Sequence, residues 1–271
     1  MQKYVFYSDV QNILYLCTFE TKGQTGMHRY ALIGKRLGHS WSQRWFEAKF
    51  KSLGLSDCCY QLHEMASLDG LKQWVLHDAI QGLNVTVPYK QQIIPLLDEL
   101  DTTASAIGAV NCVTVEGGRL VGHNTDAEAF LWSLQHTGWV FRQAFVLGTG
   151  GAARAVAFAL RQLQVPHLFV SRTPHGNDQI GYRELSSAIG LQPTLIVNAT
   201  PVGMYPNVDE TPLDLSSFNV HLSSFCLYDL TYNPSPTRLM RDAASLDASV
   251  KDGLEMLHRQ ADLSWSLFSH E

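Results

Sequence analysis

Residues 148–153 read Gly-Thr-Gly-Gly-Ala-Ala, and an apolar run, Ala144-Phe145-Val146-Leu147, leads straight into them. A small-residue helical pattern follows, Ala155-Val156-Ala157-Phe158-Ala159-Leu160. The spacing G-x-G-x-x-A between a strand and a helix suits a phosphate ligand. Gly148 permits the tight turn, Gly150 lets a pyrophosphate approach the backbone, and the small Ala153 lets helix and strand pack closely. Thr149, Gly151 and Ala152 complete the loop, and the helix N-terminus adds free N–H groups and partial positive charge. A tight turn without a ligand is the bland alternative, but the strand before and the helix after favour a dinucleotide. The next strand tip decides which one. NAD binders place an acid about 20 residues on, to hold the ribose 2′-OH. Here the strand His167-Leu168-Phe169-Val170 ends in Ser171-Arg172-Thr173. A guanidinium suits a 2′-phosphate, and the flanking hydroxyls add donors. NADP is therefore expected over NAD, unless Arg172 is only a solvated loop residue.

Three earlier segments carry more polar side chains than their strand context requires. Ser40 and Ser42 flank Trp41 just after the apolar run 29–33. Two hydroxyls at this spacing can face one ligand, although serine is also a preferred cap for the helix that follows. In Leu83-Asn84-Val85-Thr86-Val87-Pro88-Tyr89-Lys90, strand alternation puts Asn84 and Thr86 on one face. Pro88 ends the strand and opens a helix. Lys90 then falls in a first turn, where the helix dipole disfavours a cation, so it is either plainly exposed or functional. Third, Asn111 precedes Gly122-His123-Asn124-Thr125-Asp126 across a hairpin. Asp126 opens a helix, as a cap or as a functional acid, and Thr125 with Glu128 spells the T-x-x-E of a capping box.

These groups need a scaffold. Strands are expected at 29–33, 59–63, 83–87, 109–115 and 119–122, and helices at 42–53, 67–80, 89–100 and 126–137. Beyond residue 143 the alternation is stricter, with strands at 144–148, 167–171, 194–199, 225–230 and 248–250 and helices at 151–163, 182–189, 235–244 and 253–268. Such alternation reads as α/β with a parallel sheet, and 271 residues fit two domains. A hydrophobic content of 45% with 17% charged residues excludes wholesale disorder. The net charge of −5 argues against a nucleic-acid partner. The absence of an apolar run of about 18 residues argues against a membrane span. Five cysteines without a C-x-x-C pair point to reduced thiols in the cytoplasm. The eleven histidines show no metal-ligand spacing, so no metal is expected. In residues 1–26, Asp9, Gln11 and Asn12 interrupt the apolar stretch, and no cleavage site follows. That segment is not a secretory signal. It reads as an N-terminal extension, expected to be disordered, or as a mis-set start, with the fold beginning near Met27.

In order along the chain, GHSWS, LNVTVPYK, AIGAVN, GHNTD, GTGGAARA, SRT, NATPVGM, YDLTYNP and DGLEMLHRQ resemble the shikimate dehydrogenase family from Met27 to the C-terminus. Number, order and spacing carry the resemblance. It implies a two-domain α/β enzyme. A substrate-binding catalytic domain would hold residues 27–126 and 252–271, the last helix returning to it. A Rossmann-type doubly wound NADP-binding domain would hold 127–251. The implied reaction is the reversible NADPH-dependent reduction of 3-dehydroshikimate to shikimate, on the route to chorismate and the aromatic amino acids. The resemblance makes Lys90 and Asp126 the catalytic pair. It assigns Ser40, Ser42, Asn84, Thr86, Asn111, Thr125, Tyr232 and Gln260 to the substrate. It assigns Gly148, Thr149, Gly150, Gly151, Ala152, Ser171, Arg172, Thr173, Asn198, Ala199, Thr200, Gly253 and Met256 to the cofactor. The expected state is a cytoplasmic monomer or homodimer.

Four departures from the family pattern stand out. The loop after Gly34 reads Lys35-Arg36-Leu37 where a proline often precedes the apolar residue, Gln43 replaces a usual proline, and Phe46-Glu47 replaces a frequent His-Asn pair. Pro174-His175-Gly176 stands where a second arginine often follows Arg172. One guanidinium would then hold the 2′-phosphate, with His175 as a pH-dependent helper, and the preference for NADP would be weaker than with two. One rival reading is a quinate/shikimate dehydrogenase with broader substrate or NAD use. Another is a non-catalytic dinucleotide-binding regulatory protein, which would be free to lose Lys90 or Asp126; both are present.

Overall fold

The computed structural model describes residues 26–38, 40–217 and 225–270; all of the expected N-terminal extension except Gly26 lies outside them. The first half runs β1 (His28–Gly34), α1 (Ser42–Leu53), β2 (Cys58–Glu64), α2 (Leu71–His77), β3 (Ile80–Val85), α3 (Tyr89–Gln92), β4 (Glu99–Leu100), α4 (Thr102–Ile107), β5 (Cys112–Glu116) and β6 (Arg119–His123). The second runs α5 (Asp126–Gln135), β7 (Gln143–Leu147), α6 (Gly151–Gln162), β8 (His167–Ser171), β9 (Gln179–Gly181), α7 (Tyr182–Ile189), β10 (Thr194–Asn198), β11 (Phe225–Asp229), α8 (Arg238–Ala244), β12 (Ser249–Lys251) and α9 (Leu254–Ser269).

Two six-stranded sheets result. The first has the order β2-β1-β3-β5-β6-β4. Its strands β1, β2 and β3 are parallel, and β5 and β6 join as an antiparallel hairpin. The second, β12-β11-β10-β7-β8-β9, is parallel throughout. Counted from β7, this is the 3-2-1-4-5-6 order of a doubly wound sheet. Its strand order reverses between β7 and β10, the place where such sheets take a ligand. Central strands such as β10 (Thr-Leu-Ile-Val-Asn) are buried along their whole length, because helices cover both faces of a parallel sheet.

Several expected elements differ from those observed. The expected helix 89–100 breaks into α3, a 3-10 turn at Ile94–Leu96 and the short strand β4. Pro95 has no N–H to give and its ring crowds the preceding turn. The expected strand 109–115 starts only at Cys112, after the unforeseen helix α4. Asp101 caps that helix, accepting from Ala104 N–H at 2.6 Å, and Gly108 closes it in the left-handed region, φ 69°. The helix expected over 67–80 covers only Leu71–His77, and the strand expected over 83–87 is Ile80–Val85, so Thr86 lies past its end. Strand β9 is a short edge strand that the pattern does not announce. Among the described residues, no helix is long and apolar enough to cross a membrane, and no cluster of three or more His, Cys, Asp or Glu side chains is arranged to hold a metal ion.

Helix α9 belongs to both cores. Its Ala261, Trp265 and Phe268 pack with Tyr30, Phe46, Phe50 and Tyr60 of the first half. Its Met256 packs with Phe130, Val146, Val156 and Tyr228 of the second.

Asp101 also meets His123 of β6, Nδ1 to Oδ2 2.8 Å. Burial pushes its carboxyl up, but the bonds from His123 and from Ala104 N–H, with the imidazole charge, outweigh that and hold it below its ordinary value. A lowered folded-state value means stability that is complete above the unfolded value, about 3.9, and lost as pH falls towards the folded one. Thermal melts between pH 6 and about 3 are therefore expected to fall more steeply for the wild type than for Asp101→Asn; parallel curves would remove this account.

Candidate active site

At the centre is a buried acid with two polar partners. Asp126 begins α5, where its charge suits the helix N-terminus. Its Oδ2 accepts from Lys90 Nζ at 2.5 Å and its Oδ1 from Asn111 Nδ2 at 2.9 Å. The Lys90 and Asp126 side chains are 15% and 6% exposed, so this is a nearly desolvated ion pair, in which removing either partner is costly. The dipole cost expected for Lys90 is small, since α3 has only four residues. Val110 N–H, donating to Lys90 C=O at 2.7 Å, ties that turn to the start of β5.

Of the two roles open to Asp126, capping is not the observed one. Asn124 takes the cap instead, its Oδ1 accepting from Ala127 N–H at 3.2 Å. The capping box expected from Thr125 and Glu128 is also absent: Thr125 makes no side-chain cap bond. Its Oγ1 instead accepts from Asn111 Nδ2 (2.8 Å) and donates to Gln260 C=O (3.2 Å). Its N–H donates to Asn111 Oδ1 at 2.7 Å. Glu128 pairs with Arg259 across to α9.

Asn84 extends this network away from the cleft. Its Nδ2 donates to Ser264 Oγ (2.8 Å) and its Oδ1 accepts from the Tyr60 hydroxyl (2.8 Å). Asn84 is 5% exposed, so it braces the site from inside. Tyr60 stacks on Phe46, 4.1 Å between centroids, and burial raises its phenol well above the ordinary value. The Phe46 substitution is thus a core residue. Ser42 lies beside the Tyr60 phenol, and Ser40 Oγ accepts from Ser42 N–H at 3.3 Å. The cap position itself falls on Trp41, which gives no side-chain bond, so of the two serines only Ser40 meets an N–H of the first turn of α1. Thr86 sits over Gly34, where a Cβ would approach its Cγ2 to 2.7 Å. Tyr232 is half-buried, its phenol against the Trp41 backbone, and Gln260 Nε2 donates to Leu257 C=O at 3.0 Å.

The glycine loop lies at the reversal point, after β7. Gly148 has φ +99°, with Ala199 and Thr200 directly beneath it. Around Gly150 a Cβ would meet nothing within 4 Å, and α6 has no side-chain cap. Open space over bare helix N–H groups is the setting that a pyrophosphate needs, and Arg172 and Thr173 stand exposed at the next strand tip. These residues fit a dinucleotide phosphate. At Gly151 a Cβ would come within 2.7 Å of Lys90 Cβ, so the glycine loop abuts the lysine that pairs with Asp126. Ala152 follows, half-buried.

Three residues assigned to the cofactor do structural work here. Asn198 is fully buried, donates to Asp229 Oδ1 at 3.0 Å and accepts from Thr200 Oγ1 at 2.7 Å, holding the Ala199–Thr200 turn. A Cβ on Gly253 would collide with Leu230 C=O, so glycine lets α9 start against the end of β11. Met256 lies within the second core. Three contributors escaped the sequence reading: Tyr60, Asn124 and Ser264. Ser264 had a signal, since it follows Gln260 by four residues and so shares its helix face.

The fold and site define a class: a two-sheet α/β protein whose Rossmann-type phosphate loop abuts a Lys–Asp pair. Comparison with known proteins narrows it. Residues 32–113 match the family described as the shikimate dehydrogenase substrate binding domain. Shikimate dehydrogenase (NADP(+)) of Clostridium beijerinckii is 36% identical over 245 residues, 87% of this chain and 89% of that protein. Among solved structures, shikimate dehydrogenase 1 of Peptoclostridium difficile aligns at TM-score 0.80 with 33% identity, covering 90% of this chain and 92% of that one. The Thermus thermophilus shikimate 5-dehydrogenase in complex with NADP(H) and shikimate aligns at 0.78 with 33% identity, covering 90% and 94%. The chain belongs to the shikimate dehydrogenase family.

Asn111 tests how the site is held. Asn111→Ala would leave Thr125 N–H and one Asp126 oxygen without their partner. A loss of about 1–3 kcal/mol is expected, read as a lower urea midpoint at unchanged slope; an unchanged midpoint would show that the network carries no stability.

Proposed function

We propose that this chain is an NADP-dependent shikimate dehydrogenase that interconverts 3-dehydroshikimate and shikimate. The observation that carries this reading is the Lys90–Asp126 pair set against Gly151 of the phosphate loop. A proton donor and a dinucleotide site thereby share one cleft. NADPH, when bound, supplies the hydride. As the ketone is reduced, negative charge grows on its oxygen, and the Lys90 ammonium delivers the proton that neutralises it. In the reverse direction Lys90 takes the hydroxyl proton. Asp126 aims Lys90 Nζ and accepts from a neighbouring substrate hydroxyl, while Asn111 fixes its second oxygen. Ser40, Ser42, Thr86, Tyr232 and Gln260 would hold the carboxylate and the remaining hydroxyls. A site built to pair hydroxyls rejects analogues that lack them, because its own polar groups are then left unpaired. Gly148, Thr149, Gly150 and Gly151 would cradle the pyrophosphate, and Ser171, Arg172 and Thr173 the 2′-phosphate. Each sheet having its own core supports a division into 27–126 with 252–271 and 127–251. The chain would work in the cytoplasm, as a monomer or homodimer.

Initial rates at 340 nm with shikimate or quinate, each with NADP or NAD, test the reading. Turnover confined to shikimate with NADP is expected, with Lys90→Met silent in all four mixtures. Comparable rates with quinate or NAD would favour the broader dehydrogenase, and wild-type silence throughout a non-catalytic binder.

Arg172 is the expected selector for the 2′-phosphate. Arg172→Ala is expected to raise the Kd for NADP about tenfold or more, the scale of a lost charge-assisted bond of about 1.5–3 kcal/mol, and to leave that for NAD unchanged. An unaltered NADP affinity would remove it from the role.

A further inference from the structure

We propose that Trp41 and His258 form a clasp that positions the Ser40–Ser42 loop against α9 and so sets affinity for the acid substrate, without taking part in the chemistry. Their rings stack 4.4 Å apart at 16°. Trp41 lies between the two serines, and His258 lies two residues before Gln260 on α9. The stack therefore joins the loop and the helix that carry substrate groups in the proposed function, a reading on which this inference rests.

The geometry around the stack shows why such a tie is needed. The loop is anchored at its start, where Leu37 N–H donates to Glu64 Oε1 at 2.5 Å. At its end Trp41 occupies the cap position of α1 without a side-chain bond of its own, and the Ser40 Oγ that accepts from Ser42 N–H at 3.3 Å ties the loop to α1 and not to α9. The Trp41 indole, supported by the tilted Trp45 ring 6.5 Å away, is what holds this end to α9. A stripe of α9 at 258, 262 and 265 faces α1. Asp262 accepts from Lys49 Nζ at 2.9 Å, and the Trp265 ring meets Phe50 edge-on at 5.4 Å. Gln260 and Ser264 occupy a different stripe, bonded to Thr125 and Asn84. The half-turn between His258 and Gln260 thus transmits the position of one stripe to the other. The Tyr232 phenol beside the Trp41 backbone brings in a third element, from beyond β11. Trp41 is half-buried and His258 exposed, so both can be changed without opening a core.

Steady-state kinetics of the full chain with shikimate and NADP test the clasp. Trp41→Ala is expected to raise the KM for shikimate about three- to tenfold, the range spanned by an aromatic pair. The kcat and the KM for NADP are expected to stay within about twofold. Trp41→Phe should restore most of the loss, His258→Val should reproduce it, and the double variant should be no worse than either single change. Lys49→Met, which cuts the α1–α9 ion pair and leaves the Phe50–Trp265 contact, should lower thermal stability and leave the KM for shikimate in place. An unchanged KM in Trp41→Ala, a common loss of kcat and both KM values, or additive effects in the double variant would overturn the clasp. A wild-type chain silent with shikimate but binding NADP would overturn the functional reading, and the clasp with it.

Discussion

A buried carboxylate must be paired where it lies, and the position of Asp126 imposes that demand on four parts of the chain. Its two oxygens take Lys90 from α3 and Asn111 from the loop before β5. Asn111 in turn binds both the backbone and the side chain of Thr125, and Thr125 reaches α9. If any of these groups moved, an ionised group would be left in a poorly solvated place, at a cost well above that of a surface contact. The site is therefore rigid for electrostatic reasons before any ligand binds. Preorganisation of this kind lets a donor act on developing charge without rearranging first.

The second constraint is topological. A doubly wound sheet leaves a crevice where its strand order reverses, and the loops after β7 and β10 both open there. Asp229, at the end of the adjacent β11, is fully buried. Burial raises its carboxyl above the ordinary value, against the hydrogen bonds from Thr231, Thr237 and Asn198 that favour the charge. Asn198 and Asp229 thus lock together the floor of the crevice. Glycine at 253 then allows α9 to start against β11 and run back across the first sheet. One helix, buried at Met256 against the second core and at Trp265 against the first, joins the two halves.

Much of this was legible in the linear sequence, for identifiable reasons. The glycine loop could be read because its strand, turn and helix are contiguous, and local spacing is enough to specify them. The strands of the second sheet could be read because burial on both faces makes them continuous apolar runs. The order of the polar segments pointed to the family. Elements under about five residues were mostly not legible, β12 excepted because it closes the strict strand–helix alternation of the second half. The fragments α3 and β4 and the edge strand β9 are too short for a periodic pattern, and Pro95 was the only warning that a long helix would fail.

Tertiary structure decided which polar residues act together. Sequence proximity made Thr125 and Glu128 look like a capping box and Asp126 like a cap. Packing gave the cap to Asn124, turned Thr125 towards α9 and gave Glu128 to Arg259. Ser264 meets Asn84 across a separation of 180 residues, and Trp41 meets His258 across a longer one. Local patterns record what a segment can form by itself. Hydrogen bonds and ring contacts between distant segments depend on how two sheets and one shared helix close on each other, and no window of the sequence contains that information.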